Sequence, residues 1–151
     1  MILAVNALDW KAIVLAKHAQ HVALVHFPIA LFIAGVFFDW ISVWTRRQQF
    51  GSAAFLNFTL GAISTIPAMS TGLLAWQWQL ERQRIKGTLE YHMLCAVGSA
   101  IILWLCWWLH FRANRKRGTS LPSWRLPLEA IGVLLVAVTG HLGSILSGVN
   151  L

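Results

Sequence analysis

Residues 21–40 read HVALVHFPIALFIAGVFFDW, with two histidines at the entrance and one formal charge, Asp39, near the exit. About twenty apolar residues in a helix are enough to cross the hydrocarbon core of a bilayer. The span predicted here runs from about Val22 to Trp44. Pro28 falls in its first turns, where a missing backbone N–H does least harm. Trp40 and Trp44 mark the exit as interfacial aromatics do, and Arg46 and Arg47 close it.

Three more apolar runs follow, over roughly 52–78, 89–110 and 126–149. Pro67 is expected to kink the second, with Ser64, Thr65, Ser70 and Thr71 bonding back to freed carbonyls. ERQRIKG (81–87) is a polar hairpin, and FRANRKRGTSLPSWR (111–125) is a basic loop with a proline stop. The predicted fold is therefore all-α, an antiparallel up-down-up-down bundle of four transmembrane helices over residues 21–151. Residues 1–20 carry Asp9, Lys11, Lys17 and His18 and lack the charge-first order of a secretory signal. They read as a separate interfacial segment, with Ile2, Val5, Ala12, Ile13 and Ala16 along one side.

Composition agrees. The chain has 151 residues, enough for one domain, and is 58% hydrophobic but only 11% charged, too few charges to solvate such a surface in water. The net charge of +7 sits in short clusters between apolar runs, which argues for topology-setting loops and against a nucleic-acid partner. The loops after spans one and three hold Arg46, Arg47, Arg112, Arg115, Lys116, Arg117 and Arg125. The opposite side holds Lys11, Lys17, Arg82, Arg84 and Lys86, so the bias of seven against five places both termini outside. Cys95 and Cys106 are eleven residues apart, roughly 16 Å of helical rise, which is too far for a mutual disulfide.

Ionisable groups inside a membrane mark function by default. In the antiparallel arrangement His26, His92 and His141 fall in one half of the bilayer, roughly 5–12 Å inside its outer boundary. Small residues lie on their helical faces: Ala30 and Ala34 below His26, Ala96 and Ser99 below His92, Ala137, Ser144 and Gly148 around His141. Small residues also let membrane helices approach closely, so by themselves they do not require a ligand. His110 belongs to the opposite face and reads as interfacial.

Histidines on facing helices can hold haem iron from both sides. No CxxCH occurs, so the expectation is a non-covalent b-type haem with His26 and His92 as axial ligands. His141 is the alternative ligand or a hydrogen-bond partner for a propionate or a quinone, and Met69 and Met93 are weaker ligands. The same imidazoles suit copper or zinc, and Cys95, three residues from His92, allows a mixed site. No G-x-S-x-G, H-E-x-x-H or glycine-rich phosphate loop is present. Asp39 and Glu129 are expected to pair with Arg46 or Arg125, not to act as acid and base.

The order of HVALVHFPIAL (21–31), TGLL (71–74), GTLEYH (87–92) and GHLGSILSGV (140–149) resembles the membrane-protein family known as domain of unknown function 2231. That family often has His-Pro where this chain has His21-Val22, and Gly-Gly where it has Gly143-Ser144. The resemblance implies four helices and singles out His21, His26, His92 and His141; it implies no activity.

The histidines by themselves lead to an expected function: a b-type cytochrome-like subunit in a bacterial inner membrane. It would exchange electrons with quinone and with membrane or periplasmic partner subunits. The alternatives are a haem-free structural or assembly subunit and a copper- or zinc-binding membrane protein.

Overall fold

The computed structural model describes residues 17–78, 84–115 and 120–147. They form four helices: α1 (Lys17–Thr45), α2 (Gln48–Trp78), α3 (Thr88–Arg115) and α4 (Arg125–Leu146). No strand occurs among the described residues. All four are long and apolar enough to cross a membrane. Each buries only 22–28% of its most apolar stretch inside the chain. The outward surface carries Phe27, Ile33, Phe37, Leu60, Ile101 and Leu134, a surface that suits lipid and not water. The chain is a four-helix membrane bundle.

The helices exceed the predicted spans at several ends. α1 starts at Lys17, within the interfacial segment expected over residues 1–20, and the rest of that segment lies outside the described residues. α3 runs five residues beyond His110, which makes His110 an interior position of the helix. α2 stays continuous through Pro67. There Ser64, Thr65, Ser70 and Thr71 do bond back, to the carbonyls of Gly61, Ala62, Ile66 and Pro67, each at 2.6–2.9 Å. Such bonds satisfy hydroxyls that lipid could not.

α1 packs along α2 and α3 along α4, and the two hairpins meet through α2–α3 and α1–α4. A seam of residues three and four apart lines the centre. It comprises Phe32, Val36 and Asp39 on α1, and Ala54, Phe58, Ala62 and Thr65 on α2. Leu103, Cys106 and His110 supply it from α3, and Arg125, Glu129, Gly132, Val136 and Thr139 from α4. Two aromatics fill the middle, Phe32 and Phe58, with ring centroids 6.1 Å apart. Each ring lies against a glycine. A Cβ on Gly35 would sit 2.7 Å from Phe58 Cδ1, and one on Gly132 would sit 2.6 Å from Phe32 Cζ. The glycines thus let the backbones come close enough for the aromatic layer to close.

Only two residues separate α1 from α2, and the first, Arg46, has φ of 56°. That left-handed conformation ends α1 but strains a residue with a Cβ. Arg46→Gly is expected to raise the unfolding free energy by about 1 kcal/mol, read from an equilibrium detergent titration.

Candidate functional site

Polar groups collect at the two ends of the seam. At the end where α1 and α3 begin, His21 of α1 bonds Thr71 Oγ1 of α2 at 3.3 Å. A Cβ on Gly72 would come within 3.0 Å of the same ring. His92 of α3 does the equivalent on α4: its Nδ1–H donates to the Thr139 carbonyl at 3.0 Å, and its ring seats against Gly143. Each hairpin therefore holds one half-buried imidazole on a glycine of its second helix. Both imidazoles lie at the same end of the bundle. With Nδ1–H committed to a carbonyl, a neutral His92 carries its lone pair on Nε2.

His26 and His141, expected to converge with His92, are both exposed. His26 turns its Nδ1–H back to the Val22 carbonyl of its own helix. Counting residues gives depth along a helix but not rotation about it. His26 lies five residues past His21, roughly 140° around α1, so a ring at a similar depth points elsewhere. Cys95, the expected partner of His92 in a mixed site, is half-buried with a free thiol, and Met93 is half-buried too. Met69 lines an apolar surface groove of about 450 Å³ with Ile101, Trp104 and Trp108.

The opposite end is more enclosed. Asp39, His110, Arg125 and Glu129 are 1%, 4%, 7% and 0% exposed. Arg125 grips Asp39 as a fork, Nε to Oδ2 at 2.6 Å and Nη2 to Oδ1 at 3.3 Å. Its Nη1 reaches the Pro122 carbonyl at 3.2 Å. Of the two arginines expected to pair with the carboxylates, Arg125 is thus the one that takes Asp39. Glu129 forms no such ion pair among the described residues; Trp40 Nε1–H donates to its Oε2 at 3.0 Å. His110, expected at the membrane face that ends the third apolar run, is turned into the bundle. Its ring packs on Phe58 at 5.0 Å, with Nε2 3.7 Å from Asp39 Oδ1.

Sequence reasoning offered Arg125 as a partner for Asp39 or Glu129 but did not gather the four residues into one cluster. The missed signal is their register. Asp39 continues the Phe32–Val36 spacing, His110 continues Leu103–Cys106, and Arg125 and Glu129 lead into Gly132 and Val136. Charged side chains on the seam face of four apolar helices must meet one another.

Residues 17–149 match the family described as "predicted membrane protein (DUF2231)". No curated protein and no solved structure matches the chain. The matched region contains all four helices and both polar ends, and the boxes around His21, Thr71-Gly72, His92 and Gly143 touch pairwise in space. The chain is a member of the DUF2231 family of predicted membrane proteins.

Proposed function

We propose that the histidine end holds a b-type haem and that the chain is an electron-transfer subunit of a bacterial inner-membrane complex. The observation that carries this reading is the pair His21–His92. It consists of two half-buried imidazoles, one from each hairpin, both at the end where α1 and α3 begin and each seated on a glycine. Bis-histidine ligation takes two such rings from separate elements, each presenting a nitrogen to the iron. His92 presents Nε2 because Thr139 holds its Nδ1–H. Gly72 and Gly143 keep side-chain bulk away from both rings. Bound haem would supply one-electron chemistry; the chain's own residues orient the imidazoles and exclude water. His21 replaces His26 as the partner of His92 in this reading, since His26 faces outward on α1. Exposed His26 and His141 then lie on the surface available to a quinone or a partner subunit.

The test is the visible spectrum and pyridine haemochrome of chain purified from haem-sufficient cells. One b-type haem per chain is expected, lost in His92→Ala and His21→Ala and kept in His26→Ala. A folded chain with no Soret band would overturn the reading. It would favour a haem-free scaffold, whose histidines serve only the hydrogen bonds to Thr71, Val22 and Thr139.

A further inference from the structure

The other end of the seam contains a cluster that this haem reading does not use. Asp39, His110 and Glu129 each offer one ligand atom, and these atoms all lie within 4.8 Å of one another. Two of these side chains hold a buried atom with no hydrogen-bond partner among the described residues, His110 Nε2 and Glu129 Oε1. Both side chains are more than nine-tenths buried. A buried polar atom without a partner costs about 1–3 kcal/mol, and more if charged. Two such atoms facing a third donor call for something between them.

The surroundings aim all three groups. Trp40 holds Glu129 Oε2, which leaves Oε1 inward. Arg125 holds Asp39 Oδ2 most tightly, which leaves Oδ1 toward His110. Phe58 packs on the His110 ring from α2 and fixes its plane. Arg125 is taken up by Asp39, so a charge on Glu129 has no counter-ion among the described residues, and either a proton or a cation must balance it. Uncompensated charge in a low-dielectric interior is strongly unfavourable.

We propose that Asp39, His110 and Glu129 bind one divalent cation of the zinc class, with Arg125 and Trp40 orienting the carboxylates from outside. One imidazole nitrogen and two carboxylate oxygens are ligands that zinc accepts at about 2.0–2.2 Å. Around a tetrahedron such atoms stand roughly 3.3–3.6 Å apart. The 3.7 Å from His110 Nε2 to Asp39 Oδ1 is already near that value, and the 4.8 Å bound elsewhere needs an inward movement of about 1 Å. Three ligands from three helices, α1, α3 and α4, would tie the hairpins together where the basic loops emerge. The site lies eighteen residues along α1 from His21, roughly 27 Å, so it stands or falls apart from the haem reading.

The experiment uses the full chain in detergent, stripped with chelator, incubated with zinc chloride alone and desalted. Elemental analysis is expected to find one zinc per chain. Glu129→Gln and His110→Gln are each expected to lower affinity at least tenfold, while His92→Ala leaves it unchanged. Cobalt(II) added to the wild-type chain is expected to give ligand-field bands in the visible, a readout that needs no variant to fold. A folded wild-type chain that retains neither metal would sink the proposal, because a proton alone would then balance the cluster. Zinc retained equally by Glu129→Gln and His110→Gln, or lost in His92→Ala, would do the same by placing the metal elsewhere.

Discussion

Arg125→Met is expected to destabilise the bundle by about 3–5 kcal/mol, close to the limit that a chain of ordinary stability survives. The reason is what the substitution leaves behind. Asp39 is 1% exposed and relies on the Arg125 fork for both oxygens, at 2.6 and 3.3 Å. Removing the guanidinium strands a buried carboxylate beside His110 and Glu129, where neither water nor lipid can solvate it. Asp39→Asn should cost less, because an amide accepts from Arg125 without leaving a bare anion; the guanidinium then keeps the Pro122 carbonyl. The discriminating variant is the double one. Asp39→Leu combined with Arg125→Met removes both charges and is expected to be less destabilised than Arg125→Met alone. The measurement is reversible unfolding in mixed micelles at a fixed detergent ratio, with metal removed by chelator so that only the ion pair is read. A double variant as unstable as the sum of Asp39→Leu and Arg125→Met would mean that the two side chains are uncoupled, which would overturn the orphaned-charge account.

How far the sequence carried can be judged residue by residue. The four helices were legible because bilayer thickness forces one length on every span, and 29 residues of α1 or 22 of α4 satisfy it openly. The Asp39–Arg125 pairing was legible as one of two choices, since few countercharges exist in so apolar a chain. The histidine end was only half legible. Depth follows from counting residues, and it grouped His26 with His92. Rotation follows from which face packs, and it turns His26 outward while His21 and His92 each pack on a glycine of the next helix. The buried quartet was illegible as a quartet for a related reason. Each member reads as an interfacial residue when its helix is taken alone. Only the three- and four-residue spacing back to Phe32, Leu103 and Val136 shows that it belongs to the seam. The small residues were noticed below the histidines, yet the tightest ones lie mid-bundle, at Gly35 and Gly132. No polar neighbour flags them in the sequence.

Those mid-bundle glycines make the second large prediction. In soluble proteins apolar cores gain from leaving water; in lipid the helices gain little from that, so close packing has to hold them. At Gly132 three helices meet: a Cβ there would fall 2.6 Å from Phe32 Cζ on α1 and 2.8 Å from Ile102 Cγ2 on α3. Neither neighbour is the free end of a flexible chain, and Phe32 is itself only 1% exposed and pinned by Phe58. Gly132→Leu is therefore expected to cost about 3 kcal/mol, at the upper end for overpacking. Its better helix propensity returns less than about 1 kcal/mol, so the clash decides the sign. Gly140→Leu supplies the control on the same helix, because a Cβ at Gly140 meets nothing within 4 Å. That variant is expected to be neutral or slightly more stable. Phe32→Ala in the Gly132→Leu background empties the space that the leucine needs, and it should recover at least half of the loss while costing stability in the wild-type background. Detergent unfolding of the four proteins gives the coupling directly. Equal penalties at Gly132 and Gly140 would show that helix flexibility, not the approach of α4 to Phe32 and Ile102, sets the stability of this bundle.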